Sequence, residues 1–292
     1  LLFAVTIVVV VLIVYTLLRW IDHLSKLGRV GETIDRVEKA AIAALDHRAQ
    51  WPYLGGSVYL ADLVLPSSAS ALSSDQTGYV QHIDVQALDV IAKACRVQLY
   101  LEVLPGSFVH VGMPMVRIVA SDPASMDDGR LDADKIRAAL TLGVRRTFEH
   151  DPRFGLCVLS EIASRALSPA VNDPGTAIDV ISRGVRTLTC WGKPQFSAPE
   201  QDPGADSVYL RGLTVEDLFN DFFSPISRDG AGLLEVNIRL LKALISLSQI
   251  NPDLFRQVCI KHAELLLSRA DATLQLQYEK DQLLSLARTM PR

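Results

Sequence analysis

The segment SRALSPAVNDPGTAIDV, residues 164–180, carries the residues best placed to do chemistry. Pro169 removes a backbone donor and turns Ser168 away from helical geometry, so a helix arriving there must stop. Asn172 or Asp173 can cap a second helix, with Pro174 at its first position and Gly175 and Thr176 keeping its first turn thin. A helix start of this kind offers unpaired amides and the positive end of a dipole, which suits a small anion. Arg165 lies one turn before the break, and Asp151 opens the preceding helix together with Pro152. The candidate ligand-binding set is therefore Arg165, Ser168, Asn172, Asp173, Thr176 and Asp151. A simpler reading uses the same residues: Asn172 and Asp173 only cap, while Arg165 pairs with Asp151, Glu161 or Asp179.

Other chemistries find less support. Ser168 sits in no GxSxG turn, and neither a GxxxxGK[ST] nor a GxGxxG loop occurs, so neither acyl transfer nor nucleotide hydrolysis is indicated. The six histidines are scattered. His82 and Asp84 share a strand face and His110 lies on a nearby hairpin, but without the spacing of a known metal motif. The expectation is no metal, no cofactor and no assigned catalytic residue, with an enzyme less expected than a non-enzymatic role. A net charge of -4 gives no reason to expect nucleic acid. Cys95, Cys157, Cys190 and Cys259 are widely spaced among apolar neighbours, which suits reduced thiols better than disulfides or zinc.

The elements that must position these residues begin with LLFAVTIVVVVLIVYTLL, an uncharged run from Leu1 to Leu18. A helix needs about 20 apolar residues to cross a bilayer, so residues 1–18 are expected as a transmembrane helix, the last of several in a longer protein. Trp20 falls at the interface, and Arg19, Lys26 and Arg29 place the C-terminal side in the cytoplasm of a bacterial inner-membrane protein. Ile21, Leu24, Leu27, Ile34, Val37, Ala41 and Leu45 continue one apolar stripe, so residues 19–52 are expected as a stalk helix unbroken from the span. Its stripe needs cover, and identical stalks around a symmetry axis would supply it.

Residues 53–122 change to a β pattern. RVQLYLEV, residues 96–103, alternates strictly, TGYVQHID and PGSFVHVGMPMVRIV add short strands, and VQALDVIAKA reads as a helix between them. The usage is similar to that of small barrel-sandwich hybrid domains, without a lysine at a hairpin tip for a carrier role. Residues 123–292 are expected as an all-α domain. Asp132 caps a helix reaching about Glu149, Asp151-Pro152 and Asp173-Pro174 open the next two, and residues 192–208 form a surface loop. Thr214 with Asp217 makes a capping box, and Asn251-Pro252 opens the final helix. The whole reads as an α+β membrane protein: transmembrane helix, stalk, barrel-sandwich-like β domain and C-terminal helical domain.

The stretch FEHDPRFGLCVLSEIASRALSPAVNDPGTAIDVI resembles the signature of a bacterial family of predicted membrane proteins, the domain-of-unknown-function 2254 family. The matching positions are Asp151, Phe154, Gly155 and Leu156, then Ala166, Leu167, Ser168, Pro169, Asn172, Asp173, Pro174, Thr176 and Ala177. WIDHL, TGYVQHID, PGSFVHVGMPM and FFSPISRDG follow the same order, and Gly175 stands where the family often has a bulkier residue such as Phe. The resemblance implies further membrane helices before Leu1 and brings no activity with it. Two functions are therefore expected to compete, ahead of a third and weaker alternative, a membrane enzyme acting at the Asn-Asp-Pro motif with Asp151, His150, Arg165 and Asp173. One is a homo-oligomeric, channel-like or transport-like membrane assembly; the other is a membrane-anchored scaffold that binds a small anion or ion. The lipid bilayer and copies of the same chain are the expected partners.

Overall fold

The computed structural model describes residues 2–26, 30–60, 62–120, 131–192 and 204–291. The chain opens with α1 (Leu2–Lys26) and α2 (Val30–Gln50), and the junction of the expected continuous stalk lies outside the described residues. Residues 27–29 and the side chains of Ile21 and Leu24 in the expected stripe lie outside the described residues. Among the described residues no helix is long and apolar enough to cross a membrane. This corrects the expectation of a transmembrane helix over residues 1–18. The described side chains from Val5 to Leu18 carry no charge but include the hydroxyls of Thr6, Tyr15 and Thr16, and they cover ~21 Å of helix against a hydrocarbon core of ~30 Å. They are exposed on every side, Val5, Leu12 and Leu18 by 54%, 57% and 61%.

The β region begins with β1 (Gly56–Val58), β2 (Ser70–Ser73) and β3 (Gly78–Ile83). It continues through α3 (Val85–Cys95), β4 (Val97–Leu101), β5 (Phe108–Val109) and β6 (Pro114–Ala120). Next come α4 (Ala133–Ala138) and β7 (Leu140–Gly143); β8 (Ala205–Leu210) follows two helices later. The strands form two open sheets, β1-β8-β4-β6-β2 and β5-β3-β7, and no barrel closes, which corrects the barrel-sandwich expectation. The reason lies in β8, which inserts parallel between β1 and β4 with Ala205, Val208 and Leu210 fully buried. A strand arriving from the far side of the helical region extends the sheet sideways instead of letting it curl onto itself. For the same reason residues 123–292 are not all-α. Asp132 does cap a helix, but one of six residues, and Leu140–Gly143 then pairs with β3. The expected loop at 192–208 yields β8 at its end; residues 193–203 lie outside the described residues.

The helical layer consists of α2 with α5 (Pro152–Ala166), α6 (Pro174–Trp191), α7 (Val215–Asp229), α8 (Leu234–Ile250), α9 (Pro252–Thr273) and α10 (Gln277–Ala287). Their starts follow the caps legible in the sequence: Asp151, Asp173, Thr214 and Asn251 each accept an amide of the first turn. Phe219, Phe222, Phe223 and Phe255 centre the core. α2 packs on α5 so closely that a Cβ on Gly155 would lie 2.3 Å from that of Ala41. Glu38 of α2 also receives Arg183 at 2.9 Å and Arg186 at 2.7 Å, which ties α2 to α6. A second core, around Leu88, Leu99, Met115 and Ile136, fills the space under the sheets.

Candidate functional site

The break between α5 and α6 is a tight return, not a pocket. The Asn172 amide donates to the Ser168 carbonyl at 2.8 Å, and the Asp173 amide to the Ala166 carbonyl at 2.8 Å, folding the chain back onto the end of α5. Asn172 supplies the left-handed residue this requires, with φ of 49°. The Asp173 carboxylate accepts the Thr176 amide at 3.0 Å and the Thr176 hydroxyl at 2.6 Å; these bonds hold its pKa below the usual carboxylate value. The Ser168 hydroxyl donates to the Arg165 carbonyl. Five of the six candidate residues are thus gathered at one turn, where Arg165, Asn172 and Asp173 are exposed. Asp151 stands at the other end of α5, ~21 Å away along the helix.

Asp151 belongs instead to a cleft on the seam between the two cores. It is 2% exposed, caps α5 through the Phe154 amide at 3.2 Å, and receives Arg146 through two bonds of 2.7 and 3.0 Å. Burial opposes the charge on Arg146, but these bonds more than offset it and raise its pKa. The wall opposite is the turn between β4 and β5. There Gly106, at φ of +96°, lets the backbone approach until an added Cβ would sit 2.2 Å from Asp151 Oδ2. Arg153 binds Asp221 at 2.6 and 3.0 Å, which raises its pKa, and reaches Asp217 at 3.3 Å. Arg211 lies over the Tyr59 ring and 3.5 Å from Glu102.

The fourth arginine differs. Arg48 of α2 is 2% exposed, and its one hydrogen bond among the described residues is from Nη2 to the His150 carbonyl at 3.1 Å. Its pKa is lowered to about 10 by burial, against the pull of Asp151. A guanidinium has five N–H donors, so Arg48 brings a buried charge and unused donors to the edge of the cavity. The cavity is about 260 Å³ and is lined by Arg48, Arg146, Arg153 and Arg211 against Glu102, Asp151 and Asp217. Planar, donor-only groups converging on a recess of this size match a carboxylate or phosphate group. Cys157 lies beside Arg146 at 3.5 Å, but burial pushes its thiol pKa up, the reverse of an activated nucleophile.

No local motif marks these arginines in the sequence, although Arg48 carries one signal. It falls three residues after Leu45, in the stripe of Ile34, Val37, Ala41 and Leu45, all buried. A charge in register with an apolar stripe is buried or functional. The neighbouring His47 meets His150 and His82 in a second recess, whereas Asp84 caps α3 and His110 bonds the Val111 carbonyl. Among the described residues no group of three His, Cys, Asp or Glu is arranged to hold a metal ion.

A family model described as "Predicted membrane protein (DUF2254)" matches residues 1–246. Among curated relatives, "Uncharacterized protein Mb1321c" of Mycobacterium bovis and "Uncharacterized protein Rv1290c" of Mycobacterium tuberculosis are each 34% identical over 116 residues. That stretch is 40% of this chain and 22% of each relative. No solved structure matches.

Proposed function

We propose, from the premise that this chain belongs to the DUF2254 family of predicted membrane proteins, that it is the ligand-binding part of a membrane protein and holds a small oxyanion in the arginine cleft. Arg48 carries this reading: a buried cation with no carboxylate in ion-pair range among the described residues gains most from an anionic ligand, because most of its desolvation has already been met on folding. Arg146 and Arg153, each fixed by its own carboxylate, would present their remaining donors without reorganising. The ligand class is a carboxylate or phosphate of a few heavy atoms on the cytoplasmic side, the side to which Arg19 next to Trp20 points.

The competing reading is a channel-like homo-oligomer. What favours it is the exposed apolar surface of α1 from Val5 to Leu18, which calls for cover by lipid or by other chains. That surface supports attachment and assembly equally well, whereas the cleft supports a particular chemistry. The cleft reading is tested by melting the purified full-length chain in detergent with sulfate, phosphate and small carboxylates against chloride. Oxyanions should raise the melting temperature of the wild type and leave Arg48→Met unchanged, while the two proteins melt within a few degrees of each other without ligand. Equal stabilisation of both would overturn the assignment.

A further inference from the structure

Next to the cleft three imidazoles from three parts of the chain meet. His150, immediately before the Asp151 cap, has its ring centre 4.6 Å from that of His82 on β3 and 5.9 Å from that of His47 on α2. The three line a second cavity of about 300 Å³, and Pro105, from the turn between β4 and β5, lines both cavities. The two sites also share backbone. The His150 carbonyl receives the hydrogen bond from Arg48, and the residue after it is the carboxylate that holds Arg146.

The charged groups around His150 are unbalanced. On its own segment Glu149 favours the protonated ring; from α2 come His47 and Arg48, from β3 His82, and all three oppose it. Asp151 is occupied by Arg146, and α3 contributes only the neutral Gln86 to the recess. Burial acts in the same direction as the cations and lowers the pKa of His150. A proton on this ring therefore has only Glu149 as a counter-charge, and an anion bound beside Arg48 would be a second.

We infer that anion binding in the arginine cleft is coupled to protonation of His150, the imidazole at the centre of the cluster, so that the ligand enters together with a proton from solvent. The inference rests on the cleft reading above and adds its regulation. The proton goes to the His150 imidazole, the ligand supplies the compensating charge, and no covalent bond changes. Reciprocity fixes the sign: if the anion stabilises the protonated ring, acidification tightens the anion by the same factor. Long-range coupling of this kind is typically ~5- to 150-fold.

Sulfate is the suitable probe because it stays doubly ionised between pH 5.5 and pH 8. Its binding to the full-length protein is measured by calorimetry across that range, in buffers of different ionisation enthalpy. Sulfate should bind roughly tenfold tighter at the acid end, with net proton uptake. His150→Gln keeps the backbone carbonyl that Arg48 uses; it should retain the affinity seen at pH 8 and lose the pH dependence. His82→Gln removes one opposing imidazole and should move the midpoint of the pH dependence upward, a second readout should His150→Gln fold poorly. Sulfate binding that is flat with pH in the wild type, or a pH dependence that survives His150→Gln, would overturn the coupling and leave the cleft. Absence of sulfate binding at every pH would overturn both.

Discussion

His262 is 4% exposed between the rings of Phe219 and Phe223, and its Nε2 has no hydrogen-bond partner. Burial lowers its pKa to about 4, so the folded protein rejects a proton that the unfolded chain accepts near pH 6.5. Above pH 6.5 the ring is neutral in both states and costs nothing. As pH falls from 6.5 to 4 the unfolded state binds more protons, and stability should drop by on the order of 3 kcal/mol, then level off. Urea unfolding at a series of pH values checks this, and His262→Leu should flatten that part of the profile. At the same scale, Asp173→Ala should lower the melting temperature by a few degrees through loss of the α6 cap, and Pro174→Ala by less. Sulfate affinity should change in neither, because the α5–α6 turn is a cap distant from the cleft. A sulfate affinity that falls in Asp173→Ala at unchanged stability would return the turn to the list of binding sites. The sequence made that turn legible because capping is local: Pro169, Asn172, Asp173 and Pro174 act within one turn of each other. It hid the cleft, because Arg48, Arg146 and Arg211 become neighbours only through packing.

Elements that start at a cap were readable for the same reason; elements defined by a distant partner were not. The starts of α5, α6, α7 and α9 stand where Asp151, Asp173, Thr214 and Asn251 place them. The alternation in β4 showed a strand, whose antiparallel neighbour β6 lies within a few turns of chain. β8 is a six-residue strand that begins within the expected Pro- and acid-containing loop, and its partners β1 and β4 lie more than a hundred residues earlier. Nothing local marks such a strand, and with it went the closed-barrel expectation. The turn between β4 and β5 offers the test at this scale. Gly106→Ala imposes both a left-handed alanine and a Cβ inside contact distance of the Asp151 carboxylate. The variant should lose at least ~1–2 kcal/mol of stability in denaturant melts and weaken sulfate binding as Asp151 and Arg146 shift. The neighbouring Ser107→Ala keeps the backbone conformation and loses only the hydrogen bond that its hydroxyl accepts from the Leu104 amide at 3.0 Å, so it should cost less stability.

The whole molecule consists of a helical layer and a two-sheet layer that meet along α2, the turn between β4 and β5, and the start of α5. Both cavities that concern function lie on this seam. Such a placement suits a sensor, since a ligand held by Arg48 and Arg146 touches a helix from one layer and a turn from the other. α2 also carries the ion pairs to α6 and follows α1 in the chain. The measurement that tests the cleft most directly is a structure of the full-length protein in lipid with selenate, whose anomalous signal locates the anion without reference to its shape. A single peak is expected within hydrogen-bond distance of the Arg48 and Arg146 guanidinium groups, absent in Arg48→Met. A peak at the Asn172–Thr176 turn with the cleft empty would contradict the cleft assignment.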